Sequence, residues 1–261
     1  MTSVPELRSN CGACFALCCV LLPFSAEAGF GVTKPGGTPC LNLLEDDRCR
    51  IHETLREDGW PGCTVFECFG AGQQVSQVTY GGVSWREAGN LAEMSAVLAV
   101  VRVLHEMLVH LGEASRRGTR SAGPWIERLA RLTAGTTDEL LAVDLEELYD
   151  EVGSVLGEAS AAARSRWSGA PDLSGADLAG QDLRSRDLRG AHLRASLLIA
   201  ADLRDVDLHS ADLLGADVRD ADVRGALLAD ALFLTQPQVN AMRGDADTTL
   251  SPDLLRPRHW H

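Results

Sequence analysis

The sequence is short of positive charge. It holds 24 lysine and arginine residues against 37 aspartate and glutamate residues, so its net charge at pH 7 is −13. This excess of negative charge excludes strong electrostatic binding to DNA, RNA or an anionic membrane surface, because such binding requires clustered cationic side chains. Lys34 is the single lysine, a bias that a GC-rich genome explains without any function.

The sequence also lacks a long apolar run that is free of charge. Its most apolar window, 91–111, carries Glu93, Arg102, Glu106 and two histidines. The hydrocarbon core of a bilayer strongly disfavours such side chains. The sequence therefore predicts no membrane-spanning helix.

The last 193 residues contain no cysteine, whereas the first 68 contain eight. Such clustering indicates a separate module, because a secreted protein stapled by disulfides usually spreads its cysteines through the fold. The stretch 11–29, CGACFALCCVLLPFSAEAG, looks like a signal peptide, but its cysteine density and Glu6 weigh against that interpretation. The cysteines are Cys11, Cys14, Cys18, Cys19, Cys40, Cys49, Cys63 and Cys68.

The spacing C-x2-C-x3-C-C, followed by C-x8-C and C-x4-C, is typical of metal ligands. A closed zinc site uses four tetrahedral ligands, so eight thiolates predict two zinc ions. Because neighbouring side chains point in different directions, Cys18 and Cys19 are expected to serve different sites or to bridge two metals. Iron or an iron–sulfur cluster suits the same soft ligands.

Two other interpretations of the cysteines stay open. One is a set of four structural disulfides in an oxidising compartment. The other is a peroxide- or thiol-sensing cluster whose metal is lost on oxidation. His52 is a further candidate ligand, in place of one thiolate.

The cysteine array, with TPC at 38–40 and CRIH at 49–52, resembles the zinc- or iron-chelating family named for its CxxCxxCC motif. The similarity spans about residues 10–70. This sequence has one extra residue before the Cys-Cys pair, and His52 stands where that family often has tyrosine. The resemblance implies that the eight cysteines stay reduced and hold a metal, which favours a cytoplasmic protein.

Residues 84–168 carry apolar side chains at steps of three and four, which predicts amphipathic helices in a small bundle. The pairs Thr136/Glu139 and Asp144/Glu147 have the spacing of capping boxes at helix starts.

The stretch HEMLVH at 105–110 does not match a zinc protease. Its histidines lie five residues apart, which turns a helix by about 140° and puts the two imidazoles on different faces. The sequence also lacks a nucleophile–base pair and a phosphate-binding loop. We therefore expect a protein that is not an enzyme.

From Pro171 onward the sequence falls into thirteen units of five, and the third residue of every unit is apolar. A period of five matches neither a helix nor an alternating strand, so the chain must turn a corner every five residues. The units are PDLSG, ADLAG, QDLRS, RDLRG, AHLRA, SLLIA, ADLRD, VDLHS, ADLLG, ADVRD, ADVRG, ALLAD and ALFLT.

These units resemble the pentapeptide-repeat family, A-(D/N)-L-x-x. The resemblance implies a right-handed, four-sided β-helix with four units per coil. Gln181 and Arg186 occupy inward positions that suit small side chains, so one corner of the first coil is expected to be distorted. An open solenoid end exposes apolar side chains, and Leu254 and Trp260 in the tail are predicted to cover it.

The predicted fold class is a multidomain α+β protein that includes this right-handed quadrilateral β-helix. Its predicted parts are a cysteine-rich metal-binding module (1–83), a helical linker bundle (84–168), the β-helix (169–236) and a C-terminal capping tail (237–261).

The predicted function is a non-enzymatic metal-binding protein that presents the repeats as a scaffold or docking surface to a protein partner, with a possible response to metal or redox state. One alternative is a DNA-mimicking protein that binds gyrase, since Asp182, Asp202 and Asp222 are expected to form a column. A nearby column of arginines argues against DNA mimicry, because the arginines neutralise the negative charge of the aspartates. Another alternative is an iron–sulfur redox enzyme or maturation factor.

Overall fold

The computed structural model describes residues 3–260, which form two compact units that divide between Leu156 and Gly157. Unit 1 contains the cysteine-rich segment and the first helices, and unit 2 contains the repeats and the tail. The α-helices of these residues are α1 (Leu17–Leu21), α2 (Pro61–Val65), α3 (Ala71–Gln73), α4 (Trp85–Ala88), α5 (Leu91–Arg116), α6 (Ala122–Thr133), α7 (Thr137–Leu141), α8 (Leu145–Arg164) and α9 (Gln236–Ala241).

The helices predicted for 84–168 are formed, and the local capping signals position them. The side chain of Thr136 caps α7, and the Glu139 carboxylate accepts the Thr136 N–H at 2.7 Å. The Asp144 carboxylate accepts the Glu147 N–H at 3.1 Å at the start of α8. In unit 1, α5 packs against α1, α3, α6 and α7 and is the central helix.

Helix α5 is long and apolar enough to cross a membrane by length and composition alone. Of its apolar window, 56% is buried inside the structure, as in the core helix of a soluble protein. Met94, Val101 and Leu108 lie on its buried face. The helix is therefore only weak evidence for a membrane span.

Residues 171–235 form a coil, here named the repeat coil, that returns to the same side every 20 residues. Parallel backbone bridges join Asp182 to Asp202 and Asp202 to Asp222. The central apolar residues face inward: Leu183 and Leu203 are at most 1% exposed. The five-residue period therefore builds a continuous apolar core.

The predicted α+β class with a right-handed quadrilateral β-helix is wrong. No β-strand is formed anywhere in residues 3–260: the backbone pairing of the repeats consists of isolated bridges, and the regular secondary structure is helical. The physical reason is the short side of the coil. Each five-residue unit has at most one bridged residue and then turns, so a bridge has no neighbouring residue with which to extend into a strand.

The tail covers the last turn of the repeat coil, as predicted. The Trp260 ring is buried with the coil's core, and its Nε1 donates to the Met242 carbonyl at 3.1 Å. Gly244 permits this contact, because a Cβ there would lie 2.5 Å from the ring. Leu254 packs against the same core while partly exposed.

The predicted distortion of the first coil is present at Arg186. Its side chain is exposed, whereas Val206, one coil later on the same side, is buried. Among the bridges of the repeat coil there is none between Asp187 and Asp207, although the preceding side has its bridge. A guanidinium placed inside an apolar core would lose its hydration, so the chain turns Arg186 outward.

We expect Arg186→Ala to close this corner and to stabilise unit 2 by about 0.5–2 kcal/mol, the range of favourable core-compatible substitutions. Amide hydrogen exchange should show new protection at Leu188 and Asp207, and the thermal midpoint should rise. Arg219→Ala is the control, because that side chain is 67% exposed and its removal should leave this corner unchanged. Unaltered exchange at both amides would contradict the explanation.

Candidate functional site

All eight cysteines lie in unit 1, and each is a free thiol. The described residues thus contain no disulfide. Cys40 is buried, Cys11 is exposed and the other six are half-buried.

Two cysteines of the first thiol group border a space that a glycine keeps open. A Cβ on Gly72 would lie 2.8 Å from Cys14 Sγ and 3.6 Å from Cys68 Sγ, so these two sulfur atoms border the same space. Burial raises the pKa of Cys11 to about 11, and the nearby thiols of Cys14 and Cys68 contribute to this increase. The group consists of Cys11, Cys14, Cys18 and Cys68.

The second thiol group gathers around the small apolar core of Phe24 and Trp60. The Cys40 N–H donates to the Cys19 carbonyl at 3.0 Å. Burial raises the pKa of Cys63 to about 12, and its neighbours Cys19, Cys40 and Cys49 raise it further. The group consists of Cys19, Cys40, Cys49 and Cys63.

The two groups meet on helix α1, where Cys18 Sγ lies 3.9 Å from Cys19 Sγ. The interaction between the two sulfur atoms raises the pKa of Cys18 and lowers that of Cys19. Leu17 and Val20 are buried on the same short helix and fix its orientation. Each group thus receives one member of the adjacent pair.

Lys34 is a part of this site that sequence reasoning missed. Its side chain is only 7% exposed, and its Nζ donates to the Leu22 carbonyl at 2.5 Å and lies 4.3 Å from the centre of the Phe24 ring. Burial lowers the pKa of Lys34, while Cys40 and Cys19 raise it. The only lysine of the chain therefore places a positive charge next to the second thiol group.

No set of three or more His, Cys, Asp or Glu side chains in residues 3–260 forms a ready metal-binding cluster. The eight thiols nevertheless suit a thiophilic ion, both because sulfur is their ligand atom and because two sets of four are available. A Cβ on Gly72 would fill the space that Cys14 and Cys68 border. Buried thiols that raise one another's pKa stay protonated by themselves, and a bound cation favours their deprotonation. His52 is exposed and its backbone N–H donates to the Cys49 carbonyl at 3.3 Å.

The histidines of HEMLVH, His105 and His110, are both buried in α5. Glu106, between them, forms an ion pair with Arg102 at 3.6 Å.

The repeat coil carries a ladder of opposite charges on one side. Arg204 Nη2 lies 2.6 Å from the Asp202 carboxylate of its own turn, and its Nε lies 3.8 Å from Asp222 of the next coil. Arg204 lowers the pKa of Asp202 to about 2. Arg184 and Arg224 repeat the pairing one coil before and after. Each aspartate of the column thus has its own arginine.

Comparison with known proteins identifies the repeats and a full-length relative. The family model for pentapeptide repeats matches eight copies over residues 187–225. YybG of Bacillus subtilis (strain 168) is 48% identical over 266 residues, which cover 98% of this chain and 95% of that protein. The crystal structure of a pentapeptide repeat protein from the Arabidopsis thaliana thylakoid lumen is 28% identical over 33% of this chain and 80% of its own, with a TM-score of 0.17. The chain therefore belongs to the same family as YybG, and it carries pentapeptide repeats over residues 187–225.

Proposed function

We propose that the protein is a non-enzymatic zinc-binding scaffold, in which the two thiol groups of unit 1 hold one ion each and the repeat coil of unit 2 docks a protein partner. The observation that carries the metal assignment is the proximity of the free thiols: Cys14 and Cys68 lie near Cys11, Cys19, Cys40 and Cys49 lie near Cys63, and Cys18 Sγ lies 3.9 Å from Cys19 Sγ. Four thiolates complete one closed zinc site.

The burial of the sulfur atoms supports ion binding. Cys11 and Cys63, one in each group, have pKa values raised to about 11 and about 12. Without a cation these thiols remain neutral at physiological pH. A divalent ion would offset the repulsion within each group, and Lys34 would reduce the excess negative charge of the second.

The repeat coil supports a docking function more than DNA mimicry. A mimic of duplex DNA needs a long, continuous acidic face, whereas Asp182, Asp202 and Asp222 are each paired with an arginine. Such exposed pairs contribute little stability, because water and salt screen the two charges. They give this surface alternating positive and negative charges. Such a surface favours specific recognition of a partner with complementary charges, whereas a DNA mimic needs a strong negative potential.

We expect the full-length protein, purified without oxygen, to contain two zinc ions per chain by elemental analysis. Cys14→Ser and Cys40→Ser should each retain one ion, because they remove a ligand from different groups, and the double variant should retain none. Each single variant is the matched control for the other. Metal-free, reduced wild-type protein would contradict the proposal, and loss of both ions from either variant would contradict two separate sites. A brown protein with stoichiometric iron and sulfide would assign the thiols to an iron–sulfur cluster.

We expect Gly72→Ala to weaken the first site selectively, because the new methyl group would lie 2.8 Å from Cys14 Sγ. The zinc affinity of the first site should fall by at least about tenfold, as it does when residues that support metal ligands are changed. Chelator competition measures it. Gly123→Ala is the control, because no atom lies within 4 Å of its new Cβ. Equal zinc affinity in the two variants would place the ion elsewhere.

A further inference from the structure

His105 of helix α5 makes one polar contact that reaches the cysteine-rich segment. The side chain is wholly buried, and its Nδ1 lies 2.6 Å from the Phe69 carbonyl oxygen. Because a carbonyl only accepts, Nδ1 carries the proton. Burial lowers the pKa of His105, so the ring is the neutral Nδ1–H tautomer. Its Nε2 has no hydrogen-bond partner in the described structure, as suits a nitrogen that bears no proton.

The residue that accepts this bond has an unusual backbone. Phe69 is buried and has a φ of 51°, a left-handed conformation that is unfavourable for a bulky side chain. Its N–H donates to the Glu67 carboxylate at 2.8 Å, and His105 donates to its carbonyl. Both polar backbone groups of Phe69 are thus held by side chains, one from its own loop and one from α5.

The turn at Phe69 determines where Cys68 points. Cys68 directly precedes it, and Cys68 Sγ lies 3.0 Å from Ser9 Oγ and faces the space beside Gly72 that Cys14 also borders. If Phe69 relaxed to a negative φ, the chain would leave this turn in a different direction. Cys68 would then move away from Cys14.

We propose that His105 is a positioning residue for the first thiol group: its bond to the Phe69 carbonyl holds the left-handed turn and keeps Cys68 directed at Cys14. The effect of this hydrogen bond on metal retention rests on the proposed function, in which the first thiol group holds a zinc ion. An ordinary structural hydrogen bond would stabilise unit 1 as a whole, whereas a positioning bond affects the first thiol group and leaves the second unchanged.

The test compares variants of the full-length, zinc-loaded protein. Asparagine carries an amide N–H donor at the same number of bonds from Cα as His Nδ1, so His105→Asn should retain the bond. His105→Gln carries the same amide one bond farther, and His105→Leu has no donor. Transfer of zinc to a chromogenic chelator is followed over time. In the Leu and Gln variants, one of the two ions should leave at least about tenfold faster than in wild type, while the other keeps its rate.

His110→Leu is the matched control, since it removes a buried histidine from the same helix and leaves the His105–Phe69 hydrogen bond in place, and both ions should keep their wild-type rates. If both ions leave faster to the same extent in His105→Leu, the role is general stability and the proposal is wrong. Equal behaviour of the Asn and Gln variants would also overturn it. This pair decides the question even if the Leu variant does not fold.

A second readout separates this inference from the proposed function. In metal-free, reduced protein, mass spectrometry measures how fast each cysteine is alkylated. His105→Gln should speed labelling of Cys68 relative to Cys63, and His105→Asn should not. If wild type binds no metal, the proposed function fails while this selective change still supports the positioning role. No selective change at Cys68 would overturn the role, whatever the metal content.

Discussion

The cysteine-rich part of unit 1 must hold eight cysteines, seven of them at least half-buried, with few large apolar side chains. Its own core is small: Phe24 stacks on Phe30 with ring centres 4.5 Å apart, and Trp60 meets Phe24 edge-on. Helices α1 and α2 have five residues each, too short to be stable alone in water. The order of this region therefore depends on contacts among the thiol groups and on the long helix α5.

Unit 2 is organised by a different principle, and the sequence predicts most of it. The five-residue period places Leu183, Leu203 and Val223 inside, because an apolar residue recurs wherever the chain faces the core. The misfit of Arg186 was also visible in the sequence, since a charge stands where every other unit except that of Gln181 has a small or apolar residue. The predicted β class failed at a finer level: periodicity locates the corners but does not reveal that each side pairs through one residue only.

The candidate site was predictable where it depends on local spacing and hidden where it depends on long-range contacts. The adjacent cysteines and the number of thiols indicate two groups of ligands without any structure. Lys34 looked like a compositional bias, and only the fold shows its ammonium against the carbonyl of Leu22. His105 lies 36 residues from Phe69 along the chain, and no local pattern announces a contact over that separation.

The two units also differ in how their charged groups are compensated, and this difference indicates which unit a metal ion or an oxidant would affect. Along its main charged column the repeat coil pairs each aspartate with an arginine, and its backbone bonds run from coil to coil, so its order needs no ion. In unit 1 burial and neighbouring thiols raise the pKa of Cys11 and of Cys63, and Lys34 supplies one compensating positive charge near the second group. A cation or an oxidant would therefore change the energetics of unit 1 first. The repeat coil would keep its core and its surface pattern through that change, as a docking surface requires.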